Sequence, residues 1–558
     1  MSNKIPLGKL LLKLGYVSEE QVAIAVEIQA IRKKLLGEIL TEQSFVSARE
    51  VAMAIAQQAD KQFIDVSEFP ISPDALRCLD RNMSKQLEVL PLAIKEDNIL
   101  MIAMADPFDI NTIDIISRRS GMRLEITISD KDTILKRSEI MYYLLERPII
   151  EEIKSHIDKI NVSGQPVDIP KLLDNIMSHA IIERCTDIHI SPEDNVSHVF
   201  FRIDGILRHQ FACPKVMHPA LVSRIKILAD LDISEQRVPQ DGSMSYQFFD
   251  ASFDIRVSTL PTSFGENVVM RILSKNLSLF SLEALGFEPD MLASIVKQFE
   301  RSQGIVLVTG PTGSGKTTTL YAGLRKVNSL QRRVLTAEDP IEYKFPFIKQ
   351  TQINEKAGYN FATAMRAFLR QDPDVILLGE MRDETTAEMA LRASITGHLV
   401  LSTLHTNDAV TSIPRLLDMN IKDYFIASAL SAVIAQRLVR KVCNFCREDR
   451  DVPASNLIKM GFLKSMLNRL GISEKDTLTF SYGRGCEFCR KTGYSGRAVI
   501  SEMLIMDAEL GDMIVRGQTP MAILEAARER GMCSMMEDGL LKSLSKLSNP
   551  EEIIRVVF

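Results

Sequence analysis

The chain contains no tryptophan, only 6% aromatic residues, and no uninterrupted apolar run long enough to cross a bilayer. The absence of tryptophan implies no aromatic belt of the kind that marks membrane interfaces. The net charge is only −5, so no global basic character indicates a nucleic-acid partner. The first eight residues, 1–8, lack the apolar core of a secretory signal. Together these absences predict a protein of the cytoplasm.

What remains is the composition of an ordinary globular protein, with 46% hydrophobic and 25% charged residues. A length of 558 residues predicts three to five domains. The sequence has eight cysteines, and four of them form two Cys-x-x-Cys pairs. In a long chain without a signal, this pattern indicates metal binding in a reducing compartment rather than disulfides.

One stretch matches the phosphate-binding pattern G-x-x-x-x-G-K-[ST] at every fixed position. The apolar run 305–308 before it predicts a buried strand, and a helix-compatible run follows, whereas the alternative is a plain glycine-rich turn. Glycines let backbone N–H groups turn towards an anion, and the start of the helix adds a positive dipole end. We expect Lys316 to reach the β- and γ-phosphates and the Thr317 hydroxyl to hold Mg²⁺. The predicted nucleotide-binding residues are Gly310, Pro311, Thr312, Gly313, Ser314, Gly315, Lys316, Thr317 and Thr318.

Apolar runs alternate with helical stretches over 285–440, which is the rhythm of a parallel α/β sheet. Polar groups follow the predicted strand ends, where ligands bind in such sheets. After Val375–Leu378 comes Gly379-Glu380, so a glutamate stands one residue beyond the place where a Walker B strand usually ends in aspartate. Glu380 can bind Mg²⁺ or polarise the attacking water, and Glu338 is a second candidate. The sequence does not divide these two roles.

Two histidines, His398 and His405, flank the apolar strand predicted at 399–402. A single histidine is more often structural than catalytic. A histidine just beyond a strand, beside the phosphates, is suited to sensing the γ-phosphate. We therefore consider both residues as candidate sensors, with His405 the better placed.

The two cysteine pairs, Cys443/Cys446 and Cys486/Cys489, predict a tetrahedral Zn²⁺ site. An iron–sulfur cluster would also use four thiolates, whereas a redox pair would need only one of the two motifs. No fifth group is apparent, which indicates a structural metal. The intervening residues, 447–485, are numerous enough to form a subdomain of their own.

The rest of the chain shows the organisation of several domains. Residues 1–60 contain a repeat at an offset of 29 residues, which predicts two helical pairs with Ser18 and Ser47 as N-caps. Three arginines, Arg202, Arg256 and Arg271, lie on β-type runs and are either solvated positions or parts of one surface. The predicted segments are 1–60, helical repeat; 61–145, small α+β domain; 146–168, linker; 169–280, α+β domain; 285–440, nucleotide core; 441–497, cysteine subdomain; and 498–558, mostly helical.

Together these stretches resemble one family, the secretion-type assembly ATPases that power type IV pili and type II secretion. Residues 310–317, 338–342, 372–383 and 397–407 look like its Walker A, Asp, Walker B and His boxes. The four cysteines look like its tetracysteine zinc element. That element and the long N-terminal part are similar to the extension and secretion branch rather than to retraction motors.

The resemblance implies an α/β fold, with a RecA-like P-loop NTPase core, a preceding mixed α+β (PAS-like) domain, the zinc subdomain and a helical N-terminal domain. It implies a homohexamer with ATP and Mg²⁺ bound between each core and its preceding domain. In that family, arginines matching Arg256 and Arg271 reach the triphosphate. The implied partners are an inner-membrane platform protein and its cytoplasmic adaptor, with membrane contact only through them and no nucleic acid.

The N-terminal repeat resembles a cyclic di-GMP-binding module found in some of these ATPases. That module has an arginine before Leu-Gly, and here the two corresponding positions are Pro6 and Leu35. Loss of the arginine removes a cation suited to guanine or phosphate, so we favour partner docking over nucleotide sensing. Two alternatives to a mechanochemical ATPase are a nucleic-acid motor with a similar core and a regulatory module with a degenerate ATP site. A nucleic-acid motor would need a stripe of basic and aromatic residues, which this sequence does not show. The intact Lys316 argues against a degenerate ATP site.

Overall fold

The computed structural model describes residues 5–67, 69–163, 168–249, 251–274, 281–327 and 329–558. Residues 164–167 of the predicted linker lie outside the described residues. The chain divides into two compact units, Met1–Asn276 and Leu277–Phe558. Among the residues described, no helix is both long enough and apolar enough to pass through a membrane.

The helices of the first unit include the four of the predicted repeat. Their bounds are α1 Leu7–Lys13, α2 Glu19–Arg32, α3 Leu36–Glu42, α4 Ala48–Ala59, α5 Pro73–Leu76, α6 Arg81–Gln86, α7 Ile110–Ser120, α8 Lys131–Glu146, α9 Ile149–Ser163, α10 Ile169–Ile182 and α11 His218–Leu228. The strands of this unit are β1 Val89–Lys95, β2 Ile99–Met104, β3 Arg123–Ile128, β4 Asp187–Pro192, β5 Val196–Ile203, β6 Ile206–Pro214, β7 Gln240–Phe248, β8 Ala251–Thr262 and β9 Gly265–Ser274.

The repeat begins its second and fourth helices as the sequence predicts. The hydroxyl of Ser18 accepts the N–H of Gln21, and the hydroxyl of Ser47 accepts that of Glu50, each within a reciprocal capping box. Helix α4 then packs on the sheet of β1, β2 and β3, where Ala52 and Ala56 share a core with Val89 and Leu100. The predicted boundary at residue 60 therefore falls between two elements with a common core.

A six-stranded sheet forms the rest of the first unit, in the order β6-β5-β4-β9-β8-β7, with antiparallel neighbours. One face is buried beneath α10 and α11, whose residues Ile176 and Ile225 share a core with Ile188 and Phe201 of the strands. Because side chains alternate along a strand, the polar residues of the same strands lie on the opposite face. This alternation places the arginines of the sheet together, as described below.

The second unit is built on one large sheet. Its helices are α12 Pro289–Phe299, α13 Lys316–Lys326, α14 Phe361–Phe368, α15 Glu384–Ile395, α16 Ser412–Asp418, α17 Asp423–Ala429, α18 Ala454–Met460, α19 Lys464–Arg469, α20 Ala508–Val515, α21 Pro520–Glu529, α22 Met535–Leu544 and α23 Pro550–Val557. Its strands are β10 Gly304–Thr309, β11 Val334–Glu338, β12 Lys349–Gln352, β13 Val375–Leu378, β14 Leu399–Leu404, β15 Leu430–Val442, β16 Arg447–Pro453, β17 Thr477–Gly483 and β18 Tyr494–Ile505.

Seven of these strands form the sheet, in the order β12-β11-β13-β14-β10-β15-β18. All neighbours are parallel except β18, which pairs antiparallel with β15. The α/β fold with a parallel core is therefore confirmed. The predicted boundaries at 440 and 497 fall inside β15 and β18, because the cysteine motifs interrupt the strand–helix rhythm in sequence while the ladder continues in space. Between the cysteine pairs, β16 and β17 form a separate two-stranded sheet.

Candidate active site

A cavity of about 340 Å³ lies where β10, β11, β13 and β14 end. It is the place at which parallel α/β sheets bind ligands, since the carboxyl ends of the strands meet there. The predicted nucleotide-binding residues that line it are Thr312, Gly313, Gly315, Lys316, Thr317 and Thr318. Gly310, Pro311 and Ser314 belong to the same loop but are not among the lining residues.

The loop takes a backbone path that glycine permits. Gly310, Gly313 and Gly315 all have positive φ, at 145°, 81° and 90°. A Cβ on Gly310 would lie 2.6 Å from the hydroxyl of Ser314, so a side chain there would also collide with the loop. The sequence pattern is thus required by the turn as well as by close approach to an anion.

Lys316 begins helix α13 and turns back over the loop. Its Nζ donates to the carbonyl oxygens of Gly310 and Pro311 at 2.8 and 3.2 Å. Burial lowers the pKa of Lys316, Arg437 lowers it further, and the Glu380 carboxylate opposes both effects. A phosphate group entering the cavity would replace the carbonyl oxygens as the partner of this cation.

Glu338 ends β11 and lines the cavity, but its carboxylate is held by other side chains. It accepts hydrogen bonds from Tyr321 Oη, from Thr336 Oγ1 at 2.5 Å and from Gln350 Nε2 at 3.0 Å. Burial and the negative charge of Glu338 raise the pKa of Tyr321, which keeps that hydroxyl a donor. Only 4% of Glu338 is exposed, so it resembles a buried anchor more than a free base.

Glu380 follows β13 and faces groups that can take part in chemistry. Its Oε2 lies 3.5 Å from Nε2 of His405, and its Oε1 pairs with Arg382. Of its side chain 18% is exposed, against 56% of the side chain of His405. Both residues line the cavity with Lys316 and Thr317. The arrangement can bind a cation through the carboxylate and contact a terminal phosphate through the imidazole.

His398 does not lie with His405. It precedes β14 while His405 follows it, which separates them by roughly 20 Å for a six-residue strand. The phosphate loop follows β10, which runs parallel to β14. His398 therefore lies at the amino-terminal ends of these strands, whereas the phosphate loop lies at their carboxyl ends. Its Nδ1 lies 2.8 Å from the carbonyl oxygen of Ala393, near the end of α15. The hypothesis that His398 senses the γ-phosphate within its own chain is therefore wrong.

The arginines of the first unit form one row across the six-stranded sheet. Arg202 pairs with Asp187, Asp187 with Arg271, and Arg271 with Arg256, on neighbouring strands. Directly opposed residues of a ladder project from the same face. Arg271 Nε donates to Asp187 Oδ1 at 2.8 Å, and Arg202 Nε lies 3.7 Å from Oδ2. Although burial opposes it, the Arg271 guanidinium lowers the pKa of Asp187. The row therefore places three arginines on one face of the sheet, and two of them, Arg202 and Arg271, contact Asp187.

The four cysteine sulfurs, of Cys443, Cys446, Cys486 and Cys489, all lie within 4.8 Å of one another. Such a donor set fits a tetrahedral thiophilic cation. The backbone N–H groups of Cys486 and Gly493 donate to Cys489 Sγ at 3.1 and 3.2 Å. Although burial opposes them, these bonds lower the pKa of Cys489, which favours the thiolate form that binds a metal ion. The cluster can hold one metal ion.

Comparison with known proteins agrees with this geometry. The family model described as type II/IV secretion system protein matches residues 164–555, and the MshEN domain model matches residues 59–145. The type IV pilus assembly ATPase PilB of Myxococcus xanthus is 34% identical over 565 residues, covering 98% of both chains. The chain belongs to the type II/IV secretion system ATPase family.

Another relative, the type II secretion system protein HxcR of Pseudomonas aeruginosa, is 44% identical over 409 residues, which cover 73% of this chain and 81% of HxcR. Among solved structures, the ATPase DotB of Yersinia pseudotuberculosis is similar with a TM-score of 0.50 and 18% identity, over 69% of this chain and 93% of DotB. The likeness to DotB shows the shared fold. Membership of the family confirms that the chain is an ATPase.

The MshEN match begins at residue 59, after the helical repeat, and ends where the predicted small α+β domain ends. It therefore falls on the three-stranded sheet with its helices, whereas the sequence resemblance to the cyclic di-GMP module was drawn on residues 1–60. Pro6 and Leu35, the positions without arginine, lie outside the matched segment.

Three residues of this secretion ATPase that contact the site residues have no motif to reveal them. Tyr321 binds Glu338, Gln436 binds the phosphate loop, and Arg437 donates to the carbonyl of Asn407 at 2.9 Å. Each comes from an apolar or mixed stretch of helix α13 or strand β15. A buried polar side chain in an otherwise apolar strand was the available signal, since such groups need partners.

Proposed function

We propose that this ATPase is a cytoplasmic homohexameric motor that hydrolyses ATP to assemble a type IV pilus or the pseudopilus of a type II secretion system. The observation that carries the proposal is the intact phosphate loop with Lys316, Glu380 and His405 around one cavity. The relatives named for pilus assembly and for type II secretion support it, the first over nearly the whole chain.

We assign the chemistry of hydrolysis to groups around the cavity. Lys316 binds the β- and γ-phosphates, and Thr317 and Glu380 hold Mg²⁺, which when bound neutralises charge on the phosphates. Glu380 also polarises the attacking water, because its carboxylate faces the cavity beside His405. His405 contacts the terminal phosphate. Glu338 connects the end of β11 to helix α13 through its hydrogen bond with Tyr321, and this contact supports a positioning role for Glu338.

Arg256 and Arg271 are the proposed partners of the transferring phosphoryl group. Their charge would stabilise the negative charge that develops on its oxygens. The row on the six-stranded sheet supports this role, because Arg256 and Arg271 are directly opposed on β8 and β9 and therefore project from the same face. Half of the Arg271 side chain, 54%, is exposed in the chain by itself.

The proposed location is at the cytoplasmic face of the inner membrane, reached through partners. The motor would dock on a platform protein and its cytoplasmic adaptor, and a ring of six copies would pass the effect of hydrolysis to that platform. Light scattering of the purified chain with a non-hydrolysable ATP analogue tests the ring. A chain that stays monomeric with nucleotide at cellular concentrations would contradict it.

The metal of the cysteine cluster is proposed to be Zn²⁺ in a structural role. Four thiol donors without an additional ligand fit this ion, and two knuckles fix the end of β15 relative to the start of β18. Elemental analysis should give one zinc per chain, and Cys443→Ser should lose it. Cys78→Ser, outside the cluster, is the matched control.

For the N-terminal module we propose docking of a protein partner, with cyclic di-GMP as the competing ligand. Leu35 is 72% exposed and offers an apolar contact where the nucleotide-binding module has a cation. Titration calorimetry with cyclic di-GMP decides between the two, and an absence of saturable heat would support docking. Micromolar binding of cyclic di-GMP that Leu35→Asp abolishes would replace docking by nucleotide sensing.

ATP hydrolysis is tested with Lys316→Ala. We expect loss of turnover to background, because the variant lacks the cation for the β- and γ-phosphates. Lys297→Ala is the matched control, since Lys297 is an exposed residue of α12 in the same unit and does not line the cavity. Equal turnover in the wild type and Lys316→Ala would exclude this site. A filter assay with single-stranded DNA separates the motor from a nucleic-acid translocase, and we expect no retention.

A further inference from the structure

Gln436 lies behind the phosphate loop, in the middle of strand β15. Its side chain is fully buried, at 0% exposure. Its Nε2 donates to the carbonyl oxygen of Ser314 at 2.8 Å, and its Oε1 accepts from Thr319 Oγ1 of helix α13 at 2.9 Å. One amide therefore connects β15, the loop and the helix that follows the loop.

The bond to Ser314 fixes the direction of a peptide plane. The carbonyl of one residue and the N–H of the next point to opposite sides of a planar trans peptide. Because the Ser314 carbonyl is bound on the buried side, the N–H of Gly315 points to the other side, and Gly315 lines the cavity. Backbone N–H groups turned in this way are the donors with which a loop binds phosphate.

The orientation of the amide itself is also fixed. An amide side chain can present either its oxygen or its nitrogen, but only the nitrogen can donate to the carbonyl of Ser314. The oxygen then faces Thr319 and accepts from its hydroxyl, and Thr319 is itself fully buried, at 0% exposure. A Cβ on Gly315 would lie 3.2 Å from Nε2, so the loop also fits closely against this side chain.

We infer that Gln436 is a positioning residue of the ATP site, which holds the Ser314–Gly315 peptide in its phosphate-binding orientation. This inference rests on the proposed use of the loop for ATP. It adds a residue that no phosphate-loop pattern contains, and it makes β15 part of the nucleotide site. Gln436 touches no substrate and acts only through the loop.

The test is equilibrium binding of a fluorescent ADP analogue to the full chain. Gln436→Leu removes both hydrogen bonds, and we expect binding weaker by about 10-fold, as for the loss of one well-placed polar contact. Ser501→Ala is the matched control, because Ser501 is paired directly with Gln436 on β18, is fully buried and does not line the cavity. Its affinity should stay within about twofold of the wild type.

Gln436→Glu separates positioning from packing, since it keeps the shape and the acceptor for Thr319. At about pH 8 its carboxylate faces the Ser314 carbonyl without a donor, and ADP affinity should fall. Towards about pH 6 burial favours the protonated acid, which donates again, so the variant-to-wild-type ratio of dissociation constants should decrease. A merely structural loss would leave that ratio flat.

Thr319→Val gives a second route if changes at Gln436 prevent folding. It removes the hydroxyl that donates to the amide oxygen, so we expect weaker ADP binding. In the double variant with Gln436→Leu, the loss of ADP affinity should be no larger than in Gln436→Leu alone. Unchanged ADP affinity in folded single variants, a flat pH ratio or additive effects would overturn the inference while leaving the ATPase proposal intact. Failure of the folded wild type to bind ADP would instead overturn the proposed use of the loop as the nucleotide site.

Discussion

The carboxylate of Glu380 and the imidazole of His405 lie 3.5 Å apart, Oε2 to Nε2, beyond the ends of two neighbouring parallel strands. The pair brings an anion that can hold a cation next to a ring that can donate to a phosphate. It depends on the ladder that joins β13 to β14, because the two residues are 25 positions apart in the chain.

Replacing His405 by glutamine should lower kcat for ATP hydrolysis by about 100-fold or more, since a side chain positioned in the transition state contributes on the order of 10²–10⁴-fold. Phosphate release at saturating ATP measures it. His398→Gln is the matched control, because it changes the same residue type at the other end of the same strand. A loss of turnover that is equal in both variants would show that His405 has no special role.

The two carboxylates should respond differently to amide substitution. Glu380→Gln should reduce turnover by about 100-fold or more while ATP still binds, because the carboxylate that polarises water is lost. Glu338→Gln should instead lower the free energy of unfolding by roughly 1–3 kcal/mol, because its NH₂ would face the donors Tyr321, Thr336 and Gln350. Parallel turnover and thermal-denaturation measurements separate the two effects. The reverse pattern would exchange the proposed roles.

Arg271→Ala should reduce kcat by about 10³-fold if its guanidinium reaches the transferring phosphoryl group. Asp187→Asn should have a smaller effect of about 10-fold, because it releases Arg271 from its fixed partner without removing the cation. Arg237→Ala, which removes an arginine paired with Glu235 on an exposed loop, is the control. Full turnover in Arg271→Ala within assembled rings would contradict the role of the arginine row.

The phosphate loop, the strand before it and the helix after it could be predicted because one short pattern encodes a backbone path. Gly310, Gly313 and Gly315 show positive φ, which the pattern of glycines anticipates. The N-caps Ser18 and Ser47 were likewise encoded within four residues of sequence. Local chemistry of this kind needs no knowledge of the fold.

The contacts that depend on strand order could not be predicted in this way. Gln436 is more than a hundred residues from Ser314, and only the pairing of β10 with β15 brings them together. The ladder between β15 and β18, which continues to Val442, shows why a boundary at 440 falls inside a strand. His398 was considered a sensor because it is close in sequence to a strand. The parallel sheet, however, places it at the ends of the strands that are away from the phosphate loop.

Glu552 offers a test of how the last helix holds β15. Only 1% of Glu552 is exposed, and its carboxylate accepts bonds from Arg440, at 2.7 Å from Nη2, and from Arg555, at 2.7 Å from Nε. Arg440 in turn stacks on Tyr494 of β18, at 3.9 Å from the ring centroid. Although burial opposes it, the two arginines lower the pKa of Glu552 below its ordinary value of 4.5.

A carboxyl group whose pKa is lowered by folding stabilises the folded state above its unfolded pKa and loses that contribution as the pH falls through the folded value. Hydrogen exchange of α23 and β15 should therefore be constant from neutral pH to about pH 5, after correction for intrinsic rates, and accelerate below it. At neutral pH Glu552→Gln should accelerate exchange by an amount equivalent to about 3 kcal/mol, because two arginines lose their shared anion.

In acid the wild type and Glu552→Gln should converge, since the wild-type carboxyl is then neutral too. Glu551→Gln is the matched control. The carboxylate of Glu551 is exposed to solvent, and it accepts a hydrogen bond from Tyr482 Oη at 3.1 Å. If α23 is equally protected from hydrogen exchange in Glu552→Gln and in Glu551→Gln at neutral pH, the contacts between Glu552 and the two arginines do not anchor the helix.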